Sequence, residues 1–159
     1  MKVGFLMKKI LIIYASMTGH TEVIAEIIQQ SLKEEGLKVT VKEALRTKPK
    51  EMLKYDAILL GSYTYEGGVI GDEFMLFYED MDRVDLSGKI TAVFGSGDTF
   101  YEDTFCVAVD LISEKLTELG ANVVLDGLKV DLVPEGEEED RCWKFGKDFA
   151  EKVRELIPS

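Results

Sequence analysis

Hydroxyl side chains and a glycine are concentrated in residues 16–21, Ser-Met-Thr-Gly-His-Thr. This segment follows an apolar run over residues 10–14 and precedes a helical pattern of apolar residues that starts at Val23. The first turn of a helix carries unpaired backbone N–H groups and the positive end of the helix dipole, so the segment suits an anion such as phosphate. No Lys or Arg lies between Lys9 and Lys33, which predicts neutral phosphate donors and excludes the lysine-containing loop of nucleoside triphosphatases.

Two further segments are rich in Gly, Ser, Thr and Tyr, and each follows a buried strand of the predicted sheet. We call residues 15–21 the first loop, residues 62–71 the second loop and residues 95–104 the third loop. The second loop contains Tyr65 and the third contains Tyr101, whose rings could lie flat against a planar ligand. Two aromatic rings beside a phosphate-binding loop predict a slot for a flat ring that carries a phosphate tail.

Strands and helices alternate along the chain. Short apolar runs predict strands over residues 8–14, 37–42, 56–61 and 89–94, and a fifth within residues 121–133. In the fifth, Gly127 predicts a bulge or a bend. Amphipathic patterns predict helices over residues 21–35, 72–81, 105–119 and 137–156. This order is typical of a three-layer αβα domain of the α/β class, with a five-stranded parallel sheet covered on both faces. Ligands of such sheets bind beyond the carboxyl ends of the strands, where the three loops are expected.

Length and composition narrow the class of protein. A chain of 159 residues predicts a single domain over residues 1–159, with residues 1–7 as an N-terminal extension. The formal net charge of −11 makes nucleic acid and anionic membrane poor partners. Cys106 and Cys142 are too few and too far apart for a disulfide framework, which favours the reducing cytoplasm. No metal site is predicted, and neither a signal peptide nor a membrane-spanning run is recognised.

The three loops together resemble those of the flavodoxin family. The matching segments are residues 16–21, 64–65, 95–101, 108–110 and 130–132. The resemblance extends from Lys8 to Leu156, and the last strand carries no long insertion, as in short-chain members. It implies the flavodoxin-like strand order 2-1-3-4-5 with FMN at the switch point. It also implies a low-potential, one-electron carrier rather than an enzyme, whose non-covalently bound FMN cycles through semiquinone and hydroquinone.

The resemblance also implies which residues contact FMN. The phosphate would be wrapped by Ser16, Met17, Thr18, Gly19, His20 and Thr21. One side and edge of the isoalloxazine would be lined by Thr64, Tyr65, Glu66 and Gly67. The other side would be lined by Ser96, Gly97, Asp98, Tyr101, Phe105 and Cys106, with Tyr101 as the coplanar ring. By the same resemblance, the Glu66 carbonyl would accept a hydrogen bond from flavin N5–H, and Gly67 would permit the peptide flip that this needs. Tyr65 stands where the family often has Trp.

Acidic residues near the second and third loops predict how partners dock. Together they would form one face, made of Glu66, Asp72, Glu73, Glu79, Asp80, Asp82, Asp98, Glu102 and Asp103. Such a face would steer redox proteins with basic docking patches towards the flavin edge of a monomeric carrier. By analogy, these partners are donors of the ferredoxin- or flavodoxin-NADP reductase type and low-potential acceptor enzymes.

Three other functions use related folds. An FMN-dependent reductase, or a flavoprotein activator of another redox enzyme, remains the alternative to a carrier; direct oxidation of a nicotinamide cofactor would identify a reductase. A phospho-receiver domain needs acidic residues at the ends of the first and third strands. This chain has Ala15, Ser16, Gly61 and Ser62 there, which excludes that function. A cofactor-free interaction module would be colourless when purified.

Overall fold

A parallel β-sheet forms the centre of the molecule. The computed structural model describes residues 8–65 and 69–157. Its strands are β1 (Lys9–Tyr14), β2 (Lys38–Glu43), β3 (Ala57–Tyr65), β4 (Val69–Ile70), β5 (Ile90–Gly97), β6 (Asn122–Val123) and β7 (Leu128–Asp131). The principal order is β2-β1-β3-β5-β6, and β7 also pairs with β5. Because β6 and β7 together occupy the fifth position, the expected order 2-1-3-4-5 is confirmed.

Two short strands occupy the fifth position of the sheet in place of one continuous strand. β6 pairs in parallel with the start of β5 at Ile90 and Thr91, whereas β7 pairs with the end of β5 over residues 94–97. The intervening residues 124–127 leave the ladder, and they include Gly127. A Cβ at Gly127 would lie 2.4 Å from the Val109 side chain, so the chain passes close to the helix that covers it. The predicted irregularity at Gly127 therefore corresponds to a break in the strand.

Two strands extend beyond their predicted carboxyl ends. β3 reaches Tyr65 and β5 reaches Gly97, because Ser62 pairs with Gly95 and Tyr63 with Ser96. β3 then turns back into β4, which pairs antiparallel with it through two residue pairs. Residues near both ends of the second loop are thus paired with each other. The pairing of β3 with β5 places the second and third loops side by side.

Within the described ranges, four α-helices cover the two faces of the sheet. They are α1 (His20–Glu34), α2 (Asp72–Asp80), α3 (Val107–Glu118) and α4 (Glu137–Leu156). Successive strand residues point to opposite faces, so Ile10 and Ile12 pack in the core under α1 and α4, whereas Leu11 and Ile13 pack in the core under α2 and α3. Short 3-10 helices occupy Ala44–Arg46, Pro49–Lys54, Met81–Arg83 and Glu102–Thr104. None of the helices in the described ranges is long and apolar enough to cross a bilayer.

Candidate functional site

The first loop leads from β1 into α1 through a left-handed glycine. The Gly19 N–H donates a hydrogen bond to Ser16 Oγ at 2.9 Å, which closes the loop just before the helix. Gly19 has φ 92° and ψ −7°, a conformation that glycine adopts without the cost of a Cβ. It is the N-cap residue, and no side chain of the described structure caps α1. The N–H groups of the first helical turn are therefore left for an external acceptor.

A cavity of about 260 Å³ opens beside this helix end, at the carboxyl ends of β1, β3 and β5. Its lining residues come from the three loops and from the end of β7. They are Met17, Thr18, His20, Tyr63, Thr64, Tyr65, Ser96, Gly97, Asp98, Tyr101, Thr104 and Leu132. No Lys or Arg is among these lining residues, and Asp98 is their one carboxylate. The cavity therefore offers neutral donors and aromatic rings rather than cationic side chains.

Nine of the sixteen residues predicted to contact FMN line this cavity. Of the other seven, Ser16, Gly19 and Thr21 belong to the first loop or the first turn of α1 but do not contribute to the lining. Glu66 and Gly67 lie outside the described residues, as does the proposed peptide flip between them. Phe105 and Cys106 pack next to Gly97, behind the third loop, and do not line the cavity.

A buried hydroxyl pair joins the first and third loops beneath the cavity. Thr21 Oγ1 and Ser96 Oγ lie 2.7 Å apart, and both residues are buried. Thr21 belongs to the first turn of α1, whereas Ser96 belongs to β5. Each hydroxyl is thus the partner that the other needs inside the protein. The two predicted contact residues hold the two loops together.

Thr64 and Tyr65 have different environments, although they are adjacent in β3. Thr64 Oγ1 accepts a hydrogen bond of 2.9 Å from the Ala108 N–H at the start of α3. The Tyr65 side chain lines the cavity and remains 38% exposed. Thr64 therefore ties the second loop to a helix, whereas Tyr65 offers its ring to a ligand.

The third loop is held in shape by two aspartates. Asp98 Oδ1 accepts a hydrogen bond from the Phe100 N–H at 2.9 Å. Asp131, at the end of β7, accepts from the Thr99 N–H at 3.1 Å and from Thr99 Oγ1 at 3.0 Å. The side chain of Tyr101 is 53% exposed, and its ring makes an edge-to-face contact with Phe100, with ring centroids 5.1 Å apart. Tyr101 therefore follows backbone that is fixed by hydrogen bonds at Thr99 and Phe100.

Backbone strain is found next to the same loop. Among the described residues, Cys106 (φ 51°) and Leu132 (φ 55°) are the two non-glycine residues in the left-handed region. Such a conformation costs about 1–2 kcal/mol per residue and is often found at functional sites. The Leu132 N–H donates to the Gly97 carbonyl at 2.8 Å, which fixes Leu132 at the cavity wall.

Cys106 is a structural thiol. Its Sγ lies 3.8 Å from the carbonyl oxygens of Gly95 and Val130, between β5 and β7. Burial raises the pKa of the Cys106 thiol to about 12, so it stays protonated at neutral pH. A protonated thiol is a poor nucleophile. In the described ranges, no cluster of His, Cys, Asp and Glu could hold a metal ion.

Three lining residues were missed by the sequence analysis: Tyr63, Thr104 and Leu132. Tyr63 was missed because β3 was predicted to end at Gly61; a longer strand would have drawn attention to it. Leu132 immediately follows the last strand, at the edge of the sheet where the three loops meet. That position was a signal that could have found it.

The fold and the loops match known proteins over nearly the whole chain. The model of the flavodoxin family matches residues 12–146. The chain belongs to the flavodoxin family. It is 44% identical over 147 residues to the Bacillus subtilis protein named "Probable flavodoxin 2"; the matched region covers 92% of this chain and 97% of the relative. The flavodoxin of Maridesulfovibrio salexigens is 37% identical over 150 residues, covering 92% of this chain and 100% of the relative. The crystal structure of oxidised flavodoxin 2 from Bacillus cereus superposes with a TM-score of 0.88 at 47% identity, covering 91% and 99% of the two chains.

Membership of the family establishes the general function. Flavodoxins are FMN-dependent, low-potential electron carriers that exchange electrons with redox partner proteins, and they are not enzymes. The site fits FMN on its own geometry, because an uncapped helix N-terminus and two exposed tyrosine rings border a single cavity. Because the relatives are flavodoxins, the carrier function is supported over that of a reductase or an activator.

Proposed function

We propose that FMN binds in this cavity with its phosphate at the first loop and its ring between Tyr65 and Tyr101. The observation that carries this proposal is that Thr18 and His20, on either side of the Gly19 N-cap of α1, line the same cavity as both tyrosines. The contact residues are the cavity-lining members of the three loops, together with Ser16, Gly19 and Thr21 of the first loop. Glu66 and Gly67 complete the set as the edge of the second loop.

When bound, FMN supplies the capacity to accept and release single electrons, and the residues of the chain position it. Backbone N–H groups and hydroxyls bind the phosphate without a cationic side chain. The buried cores beneath the three loops exclude water from one side of the site. Tyr65 and Tyr101 are partly exposed, so the outer edge of the ring would remain accessible to a partner protein.

Riboflavin, which lacks the phosphate, is expected to bind at least about tenfold more weakly than FMN. A hydrogen bond to a charged group contributes about 1.5–3 kcal/mol, and each factor of ten in affinity corresponds to about 1.4 kcal/mol. Titrations of the full-length apoprotein that follow flavin fluorescence measure both dissociation constants. Thr18→Val should weaken the binding of FMN more than that of riboflavin. Glu118→Gln, at the far end of α3, should change neither dissociation constant. Equal affinities of the wild type for the two flavins would contradict a phosphate site at the first loop.

We also propose that carboxylates around the cavity dock the redox partners. Asp72 and Asp103 are exposed, and Asp98 lines the cavity. The prediction that Asp82 belongs to this face is wrong, because Asp82 lies beside Glu118 at the opposite end of the sheet, where it is paired with Lys115 at 2.5 Å. Donors of the ferredoxin- or flavodoxin-NADP reductase type and low-potential acceptor enzymes would meet this face through basic patches. The chain would act as a single-domain monomer in the cytoplasm.

Reduction of the holoprotein by such a reductase is expected to slow about tenfold or more when ionic strength rises from about 10 mM to about 150 mM. Over that range the screening length falls from about 30 Å to about 8 Å, which removes long-range attraction. Stopped-flow absorbance of the flavin measures the rate. The salt dependence should become weaker in Asp103→Asn, and it should persist in Glu118→Gln at the opposite edge of the sheet. A rate that does not depend on salt in the wild type would exclude electrostatic docking.

A further inference from the structure

Two tyrosines at the carboxyl ends of neighbouring strands make equivalent hydrogen bonds. Tyr14, the last residue of β1, donates its phenolic hydrogen to Glu22 Oε2 at 3.1 Å. Tyr63, in the last residue pair between β3 and β5, donates its phenolic hydrogen to Glu73 Oε2. Both side chains are nearly buried, with 8% of Tyr14 and 7% of Tyr63 exposed. Neither bond was recognised in the sequence.

The two bonds have the same place in the chain topology. Tyr14 immediately precedes the first loop and Tyr63 lies at the start of the second, and in each case the glutamate lies in the first turn of the helix that follows the loop. A carboxylate in the first turn is favoured by the helix dipole. Burial, and then the hydrogen bond to Glu22, raise the pKa of Tyr14 to about 12. The same two causes raise the pKa of Tyr63 well above its usual value. Both phenols therefore remain donors at neutral pH.

We propose that these bonds are two independent braces: Tyr14–Glu22 positions the first loop for the phosphate, and Tyr63–Glu73 positions the second loop for the isoalloxazine ring. Tyr14 and Tyr63 are thus positioning residues for opposite halves of the cofactor. The inference rests on the placement of FMN proposed above.

The packing of the two tyrosines explains why the braces act separately. Tyr14 packs in the core under α1 and α4, whereas Tyr63 packs in the core under α2 and α3, on the other face of the sheet. A shift of one ring is therefore not passed directly to the other. The described structure shows no hydrogen bond between the two pairs.

The second loop has a particular need for its brace. Among the described residues, the β3–β4 hairpin has the two pairs Thr64–Ile70 and Tyr65–Val69, and a two-stranded hairpin is marginally stable by itself. The Tyr63 ring lies directly against Gly71, where an added Cβ would be 2.2 Å from Cζ. The phenol thus holds both ends of the loop: its backbone is in β3, its ring covers Gly71, and its hydroxyl is bound to α2.

Tyr14→Phe and Tyr63→Phe test the proposal, because each removes one hydroxyl and keeps the ring. Flavin fluorescence titrations of the apoproteins give the dissociation constants for FMN and for riboflavin. Tyr14→Phe should weaken FMN about three- to tenfold and leave riboflavin unchanged. Tyr63→Phe should weaken the binding of both flavins by the same factor, since both carry the isoalloxazine ring. Tyr78→Phe, a half-buried tyrosine of α2 whose ring lies 4.5 Å from Lys115 Nζ, should leave both constants unchanged.

Glu22→Gln and Glu73→Gln distinguish a hydrogen-bonded brace from an effect of charge. Each keeps an oxygen that can accept from the phenol, so both should bind the two flavins within about twofold of the wild type. A loss as large as in the matching Phe variant would overturn the proposal. If a Phe variant fails to fold, Glu22→Ala or Glu73→Ala breaks the same bond from the more exposed side and carries the same expectation.

The outcomes separate this proposal from the site assignment. If the wild type binds FMN and riboflavin equally, the placement of the phosphate is wrong and the braces lose their basis. If the wild type prefers FMN but Tyr14→Phe and Tyr63→Phe affect the two flavins in the same ratio, or affect neither, the braces are not independent positioning devices. Thermal unfolding of the apoproteins, followed by circular dichroism, checks that differences in affinity do not arise from unfolding.

Discussion

Replacing Gly61 by Ala is expected to lower the free energy of unfolding by about 3 kcal/mol, at the upper end of the usual cost of overpacking a core. A Cβ at Gly61 would lie 2.1 Å from Phe94 Cε2 and 2.2 Å from Cζ. Phe94 is fully buried, so its ring has little room to move. The Gly61 carbonyl also accepts a 3.0 Å hydrogen bond from the Ala15 N–H, where the first loop begins. A displaced β3 should therefore also weaken FMN binding.

Urea unfolding of the apoprotein measures the change in stability, and two variants identify its cause. Gly61→Ala combined with Phe94→Leu should be more stable than the two separate losses predict, because the smaller side chain leaves room for the methyl group. Gly36→Ala places a Cβ in open space at φ 83°, so it should cost only about 1 kcal/mol from backbone conformation. An additive double variant, or equal losses at Gly61 and Gly36, would show that contact with Phe94 is not the cause.

The layers of the fold could be predicted from local patterns. Apolar runs marked the buried strands, and helix α4 begins and ends at the predicted residues, Glu137 and Leu156. The buried residues of α4 recur with the period of a helix, so the first and last residues of the helix can be recognised from the sequence. The strand order came from the resemblance to flavodoxins and was confirmed by the structure.

Features that depend on tertiary contacts could not be predicted in this way. The residues Gly-Ser-Tyr-Thr-Tyr over 61–65 are typical of a turn, yet they continue β3 because β5 and β4 pair with them. The break before β7 depends on how closely Gly127 approaches Val109.

The candidate site was predicted at the level of loops better than at the level of contacts. The carboxyl-end rule placed all three loops at one edge of the sheet, and the cavity lies there. Sequence spacing does not show which way a side chain points: Cys106 packs between strands, although Thr104, two residues earlier, lines the cavity. Thr21 and Ser96 are separated by 75 residues, so their bond required the folded structure.

Loss of either hydroxyl of that buried pair is expected to destabilise the protein. Thr21→Val keeps the shape of the side chain but removes its hydroxyl, which leaves Ser96 Oγ without its partner in a buried position. The free energy of unfolding is expected to fall by about 2 kcal/mol, the cost of an unsatisfied buried polar group. Ser96→Ala should cost a similar amount, because it strands the Thr21 hydroxyl in the same way. FMN affinity should also fall, since the bond holds the first loop against the third.

The double variant separates a lost hydrogen bond from two unrelated losses. Thr21→Val with Ser96→Ala removes both hydroxyls and leaves neither stranded, so its cost should fall short of the sum of the single costs by at least about 1 kcal/mol. Ser31→Ala is the matched control, because Ser31 Oγ is buried and donates to the Trp143 carbonyl at 2.7 Å between α1 and α4. It should lower stability and leave the FMN dissociation constant unchanged, since that bond lies away from the cavity. If the two single costs simply add, or if Ser31→Ala weakens FMN as much as Thr21→Val does, the pair does not link the two loops. Only non-additive stability together with a selective loss of FMN affinity identifies Thr21 and Ser96 as the connection between the phosphate and ring sides of the site.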